Sequence, residues 1–144
     1  LRGPFPEPLR APMGNRIFGC DICQEECPWN RRFSFRAAEP DYRARVGLDG
    51  PDLADLAERL LDRDEDGVRE AFRGSPIRRT GRDGLLRTVC VALGNALAGE
   101  GTGEGAAGEA AGVRSRQRAA LTRAVREGSP LVREHAEWAL GRGA

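Results

Sequence analysis

The stretch GCDICQEECPWN at positions 19–30 spaces three cysteines as C-x2-C-x3-C and follows the last with Pro28. A tetrahedral metal site or an iron–sulfur cube needs four ligands, and this segment supplies Cys20, Cys23 and Cys27. Whatever completes the site must come from elsewhere. The one histidine, His135, lies far off on the apolar face of a helical pattern. The remaining cysteine, Cys90, falls on another apolar stripe, where it reads as a small buried thiol.

Three chemistries compete for these thiols. A disulfide would leave one cysteine of the run over, and nothing in the sequence points to an oxidising compartment. Zinc would want a fourth Cys or His at knuckle spacing, which the run lacks. An iron–sulfur reading accounts for more. In bacterial-type clusters the run C-x2-C-x2-C-x3-C-P holds one cube with its first three cysteines, and its proline-flanked cysteine reaches a second cube. Positions 20–28 are that run with one cysteine missing. If the pattern is kept, Cys20 and Cys23 serve one cube and Cys27 the other, with the outstanding ligands outside this chain.

At 144 residues there is room for one ordinary domain, or for a small module plus a helical one. Hydrophobic residues at 40% and charged residues at 31% argue against wholesale disorder. The net charge of +1 marks the chain as neither a nucleic-acid binder nor an acidic-substrate binder by bulk electrostatics. All 23 basic residues are arginine, a bias that codon drift in a GC-rich genome explains as well as function does. No segment approaches the ~20 apolar residues of a membrane span, and no secretory signal opens the chain, so a cytoplasmic location is expected. The start at Leu1, inside a proline-rich stretch, reads as the middle of a longer protein, which would make this a C-terminal fragment.

Prolines 4, 6, 8 and 12 bias residues 1–13 toward an extended lead-in. Residues 31–51 have no sustained period and read as a connector, pinned by Phe33, Phe35 and Tyr42. From Pro51 the pattern turns helical. Asp49 or Gly50 can cap a helix with Pro51 at its first position, and Leu53, Leu56, Ala57 and Leu60 recur on one face. DEDGVREAFRG predicts a short second helix, and DGLLRTVCVALGNAL a third with a stripe of Leu86, Val89, Cys90, Leu93 and Leu97. The Gly/Ala/Glu tract at 99–112 is too poor in large apolar groups to pack and is expected to be a flexible loop. RQRAALTRAVREG and SPLVREHAEWALG predict two further helices, the last opened by a Ser129 cap with Pro130 at its first position and apolar on two faces. GSPIRRTGRDGLLRTVCVALG and GSPLVREHAEWALG both run from Gly-Ser-Pro through arginine into an apolar helix ending at Gly, as paired helices of a HEAT-like solenoid would.

Three blocks, GPFPEPLRAPMGNRIFGCDICQEECPWNRR, FRGSPIRRTGRDGLLRTVCVALGNAL and SPLVREHAEWALG, resemble in that order the C-terminal portion of the epoxyqueuosine reductase family. The resemblance covers nearly the whole chain apart from the Gly-rich tract. It implies a mostly α fold: residues 1–50 as the second half of a ferredoxin-type [4Fe-4S] module with its connector, and residues 51–144 as HEAT-like α-helical repeats.

The family implied is a cobalamin-dependent oxidoreductase with two [4Fe-4S] clusters that reduces epoxyqueuosine to queuosine in tRNA. Its partners would be tRNA with a GUN-type anticodon and an electron donor, and the enzyme would be a monomer. By the same resemblance Cys20, Cys23 and Cys27 are cluster ligands, while cobalamin, the catalytic residues and the other cysteine motif belong to sequence outside this chain. Arg78, Arg79, Arg82 and Arg87 are candidates for contact with tRNA phosphates. A ferredoxin-like carrier fused to a helical scaffold, or a zinc-stabilised binding module, is the alternative.

Overall fold

The protein is described by a computed structural model over residues 3–35, 38–39, 52–99 and 107–142, of which 107–110 are described by their backbone only. Among the described residues the regular structure is helical, with no strand. In chain order the helices are α1 (Glu7–Arg10), α2 (Ile22–Glu25), α3 (Pro28–Phe33), α4 (Leu53–Leu61), α5 (Glu65–Ala71), a 3-10 helix (Pro76–Thr80), α6 (Gly81–Ala98), α7 (Ala107–Glu127) and α8 (Pro130–Arg142). They divide between two compact units, Leu1–Phe18 with Asp52–Ala144, and Gly19–Pro51. No helix among the described residues is long and apolar enough to cross a membrane.

The helix starts follow local chemistry. Asp52 caps α4 by accepting from the Ala54 N–H at 2.9 Å, and Asp64 caps α5 by accepting from the Gly67 N–H at 2.8 Å. The cap expected at Asp49 or Gly50 is therefore displaced to Asp52; positions 49–51 lie outside the described residues. Ser75 and Ser129 occupy equivalent places in the two Gly-Ser-Pro copies, and each accepts from a backbone N–H of the following turn. The copies then diverge. After Ser129 the chain runs straight into α8, whereas after Ser75 it makes a 3-10 helix and turns at Gly81, φ 72°, the first residue of α6. Such a φ favours glycine, which has no Cβ to clash.

The expected loop at 99–112 is shorter than its composition suggests. Its last residues, from Ala107, already belong to α7, because Ala and Glu propagate a helix that the packed residues downstream anchor. Residues 100–106 lie outside the described part.

The core of the larger unit is α6. Its expected stripe of Leu86, Val89, Cys90, Leu93 and Leu97 is buried, but so are Leu85, Arg87, Thr88, Val91, Ala92 and Gly94 on the other sides. This helix is enclosed all round, which one-sided periodicity does not reveal. Leu56, Ala57 and Leu60 of α4, Val68 and Phe72 of the α5 region, Leu121 and Ala124 of α7, and Val132, Ala136 and Ala139 of α8 are among the residues buried around it. Where α6 crosses α8 a Cβ at Gly94 would lie 2.7 Å from both Cα and Cβ of Ala139. Only a residue without a side chain allows the two backbones that approach.

The lead-in is not free of the helices. Gly3–Phe18 form a strap held on α6 and α8 by side chains that the sequence scatters widely. Arg10 is buried; its Nε donates to Phe5 O at 2.9 Å, its terminal nitrogen pairs with Glu134, and its guanidinium lies 5.7 Å from the Trp138 ring centre. Arg87 donates to Gly3 O and lies 4.0 Å over the Phe5 ring. Asn95 donates to Arg10 O at 2.9 Å and to Gly14 O at 2.8 Å.

His135 completes the strap. It is fully buried, with its Nε2 accepting from the Phe5 N–H at 3.1 Å and its Nδ1 2.7 Å from Leu131 O. Those partners require the neutral imidazole with the proton on Nδ1. Burial holds the His135 pKa below its ordinary value; the Leu131 carbonyl opposes that shift and the nearby charge of Arg10 adds to it.

Two outcomes are expected. Gly94→Ala should lower stability by about 1–3 kcal/mol in denaturant titration, because the added methyl meets backbone that cannot move alone. His135 has a folded pKa below the unfolded value of about 6.5, so the unfolded chain takes up its proton first. Its contribution is therefore intact above about pH 6.5 and is lost as the pH falls from there toward the folded pKa. In His135→Gln the midpoint of unfolding, measured from pH 7.5 to 5, should lose that part of its pH dependence.

Candidate functional site

The cysteine segment folds by exchanging helix ends. Helix α2 is a single turn, so its last carbonyls have no partners within it. Helix α3 supplies them: Asn30 Nδ2 donates to Gln24 O at 3.1 Å and Arg31 Nε donates to Glu25 O at 3.1 Å. Arg31 also pairs with Glu26 at 3.2 Å. Pro28 stands at the first position of α3, where its missing N–H is no loss. The two short helices are thereby folded back on each other, with Cys23 inside α2 and Cys27 at the residue just before α3.

All four cysteines are free thiols. Cys20 and Cys23 are exposed and Cys27 is half-buried, while Cys90 is buried in the core. Burial pushes the Cys90 thiol up to about 12, so it stays neutral and packs as a small apolar group. Among the described residues no three His, Cys, Asp or Glu side chains stand together so as to enclose one metal ion. The donor set fits part of an iron–sulfur site: the thiols are accessible, unpaired with one another and too few to close a cube unaided.

Next to these thiols is an apolar surface. Trp29 and Phe33 stack with ring centres 5.1 Å apart, Arg32 lies 5.4 Å over Phe33, and all three neighbouring aromatics, Trp29, Phe33 and Phe35, are exposed. The expectation that Phe33 and Phe35 pin the connector is not met within this unit: Phe35 is 90% exposed. Tyr42 lies outside the described residues.

The four candidate arginines separate into two pairs. Arg78 and Arg79 lie exposed on the 3-10 helix. Arg82 instead turns inward and caps α4, its Nε donating to Leu60 O at 2.9 Å and a terminal nitrogen to Leu61 O at 3.3 Å, while its backbone N–H donates to Glu65 at 2.9 Å. Arg87 is 3% exposed beneath the strap, and burial lowers its pKa. Of the four candidates for phosphate contact, Arg78 and Arg79 thus face solvent, while Arg82 and Arg87 are engaged with backbone carbonyls of their own unit. Sequence spacing does not distinguish an arginine that caps a neighbouring helix from one that faces solvent. Residues that hold the cysteine segment in shape, Asn30 and Arg31, carry no motif by which spacing alone would have marked them.

No protein-family model matches the chain. It is 46% identical over 141 residues to the epoxyqueuosine reductase of Alicycliphilus denitrificans, an alignment covering 98% of this chain and 36% of that protein. With the Xanthomonas campestris pv. campestris epoxyqueuosine reductase it shares 44% identity over 138 residues, covering 96% of this chain and 33% of that one. With that of Escherichia coli K12 it shares 46% over 96 residues, 67% of this chain. Its fold is similar to a crystal structure of epoxyqueuosine reductase with an epoxyqueuosine-modified tRNA-Tyr stem loop, at TM-score 0.58 and 21% identity over 99% of this chain and 41% of that one. A selenomethionine-labelled epoxyqueuosine reductase matches at TM-score 0.57 and 20% identity, over 42% of its length. Along nearly all of its own length, therefore, the chain is homologous to about a third of epoxyqueuosine reductase.

Proposed function

We propose that this chain is the part of a cytoplasmic epoxyqueuosine reductase that completes its iron–sulfur relay and grips its tRNA, contributing to the reduction of epoxyqueuosine to queuosine. The observation that carries the reading is homology along 98% of the chain at 46% identity. Residues 1–50 are then the second half of a ferredoxin-type module with its connector, and residues 51–144 are HEAT-like repeats. The near-parallel use of Gly-Ser-Pro before α6 and α8 supports the repeat.

In this reading Cys20 and Cys23 supply thiolates to one [4Fe-4S] cluster and Cys27 supplies one to the other. When bound, the clusters carry electrons one at a time toward cobalamin, whose site lies outside this chain. The chain's own residues keep the thiols reachable and fix their spacing: Asn30 and Arg31 fold α3 back on α2, and so hold Cys27 relative to Cys23. The accessibility of the thiols supports donation to clusters whose other ligands come from further sequence. The fold neighbour solved with a tRNA-Tyr stem loop supports RNA as the partner of the helical unit. Arg78 and Arg79, exposed on a short helix, are the phosphate-contacting pair.

Anaerobic reconstitution of the full-length protein should give about eight irons per chain, and uptake of one zinc and no iron would sink the reading. Cys20→Ala and Cys23→Ala should erase the spectrum of the same cluster, and Cys27→Ala that of the other. Replacing Arg78 and Arg79 by Ala should weaken tRNA binding and reduce its log–log salt slope by about 1 for each arginine, leaving iron content unchanged. Arg82→Leu should instead cost about 1–3 kcal/mol of folding stability, since it uncovers two carbonyls at the end of α4. A salt series in which Arg78 and Arg79 have no effect would return them to ordinary solvated side chains.

A further inference from the structure

The bonds that hold the start of the strap converge on His135. Its Nε2 accepts from the Phe5 N–H at 3.1 Å, the Phe5 carbonyl accepts from Arg10 Nε at 2.9 Å, and the Gly3 carbonyl accepts from Arg87. The Phe5 ring lies 4.0 Å from the Arg87 guanidinium and edge-on to the imidazole, with ring centres 6.0 Å apart. Prolines 4, 6 and 8 have no N–H, so Phe5 carries the first amide hydrogen after Gly3, and the imidazole is its partner.

Within this group the imidazole is the side chain whose charge changes near neutral pH. Its Nδ1 proton faces Leu131 O at 2.7 Å, which leaves Nε2 as the acceptor. A second proton must go on Nε2, where it turns that acceptor into a donor aimed at another N–H. Among the described residues the charges that reach the ring are Arg10 of the strap, Arg87 of α6 and Glu134 of α8, the last already paired with Arg10; α7, which also packs on α8, sends none. Protonation therefore places a third cation beside two guanidiniums that themselves hold the strap. An open cavity of about 580 Å³, lined by Phe5, Arg10, Glu134 and Trp138 among others, brings water to the edge of this group and gives residues 3–6 room to leave.

We propose that His135 is a proton-operated latch: uptake of a proton at Nε2 releases residues 3–6 from α6 and α8, while the Asn95 bonds to Arg10 O and Gly14 O keep the rest of the strap in place. With those residues released the imidazole meets water and titrates near the ordinary 6.5, whereas under the strap burial holds its pKa lower. The released form takes the proton first, so release is suppressed above about pH 6.5 and favoured as the pH falls below it. Between about pH 7.5 and 5.5 the balance of released over held strap should rise about 5–10-fold.

The test follows amide exchange by mass spectrometry in the full-length holoprotein over that pH range, corrected for the intrinsic dependence of exchange on pH. In wild type the Phe5 amide should lose about 5–10-fold of its protection, while the amides of residues 85–94 in α6 hold theirs. In His135→Gln a side-chain oxygen can still accept from Phe5 but binds no proton in this range, and protection at Phe5 should be flat. Should that variant misfold, the wild-type series decides alone: constant protection at Phe5 overturns the latch, and so does a loss that α6 shares, which is unfolding of the whole unit. A His135→Gln protein that keeps the wild-type slope also overturns it, since another group then carries the proton.

Discussion

The enclosure of α6 is the condition on which the rest of the helical unit depends. A helix buried on one face needs one partner layer, whereas Leu85 through Gly94 need cover on every side. Four helices and the strap supply it. The closest approach is made possible by Gly94 against Ala139, and removing side-chain volume there lets dispersion contacts replace what would be a gap between two helices. The strap is consequently part of the core arrangement, although its sequence reads as a proline-rich lead-in.

Arginine does structural work here that its uniform use hides. Arg10, Arg82 and Arg87 each combine a buried or half-buried stem with a planar group that donates to backbone carbonyls; Arg10 and Arg87 also lie over aromatic rings. A lysine ammonium has neither the fork nor the flat face for both tasks. Codon drift therefore accounts for the absence of lysine only in part, since at these three positions the guanidinium geometry is used. Exposed pairs such as Arg73 with Glu70 are of a different kind and add little in water.

The cysteine segment shows how a short stretch can be ordered without a core. Its helices are four and six residues long, and the end of the first is held by Asn30 and Arg31 of the second rather than by apolar packing. Its aromatics face outward. Such a segment keeps its thiols available but does not by itself bring three of them to one point.

The helices from α4 onward, the Ser129 cap and the cysteine spacing were legible in the sequence, because each is set by interactions within a few residues: apolar recurrence, a hydroxyl reaching one turn ahead, a motif of fixed length. The resemblance of three ordered blocks carried the family. What only the tertiary structure decided was which arginines face inward, that α6 is covered on all sides, and that Gly3–Phe18 are strapped to helices by Asn95 and His135. Those outcomes join groups from about 20 to 130 residues apart. Local pattern cannot register them, because the cost of leaving a carbonyl or a guanidinium buried without a partner arises only once the helices have packed.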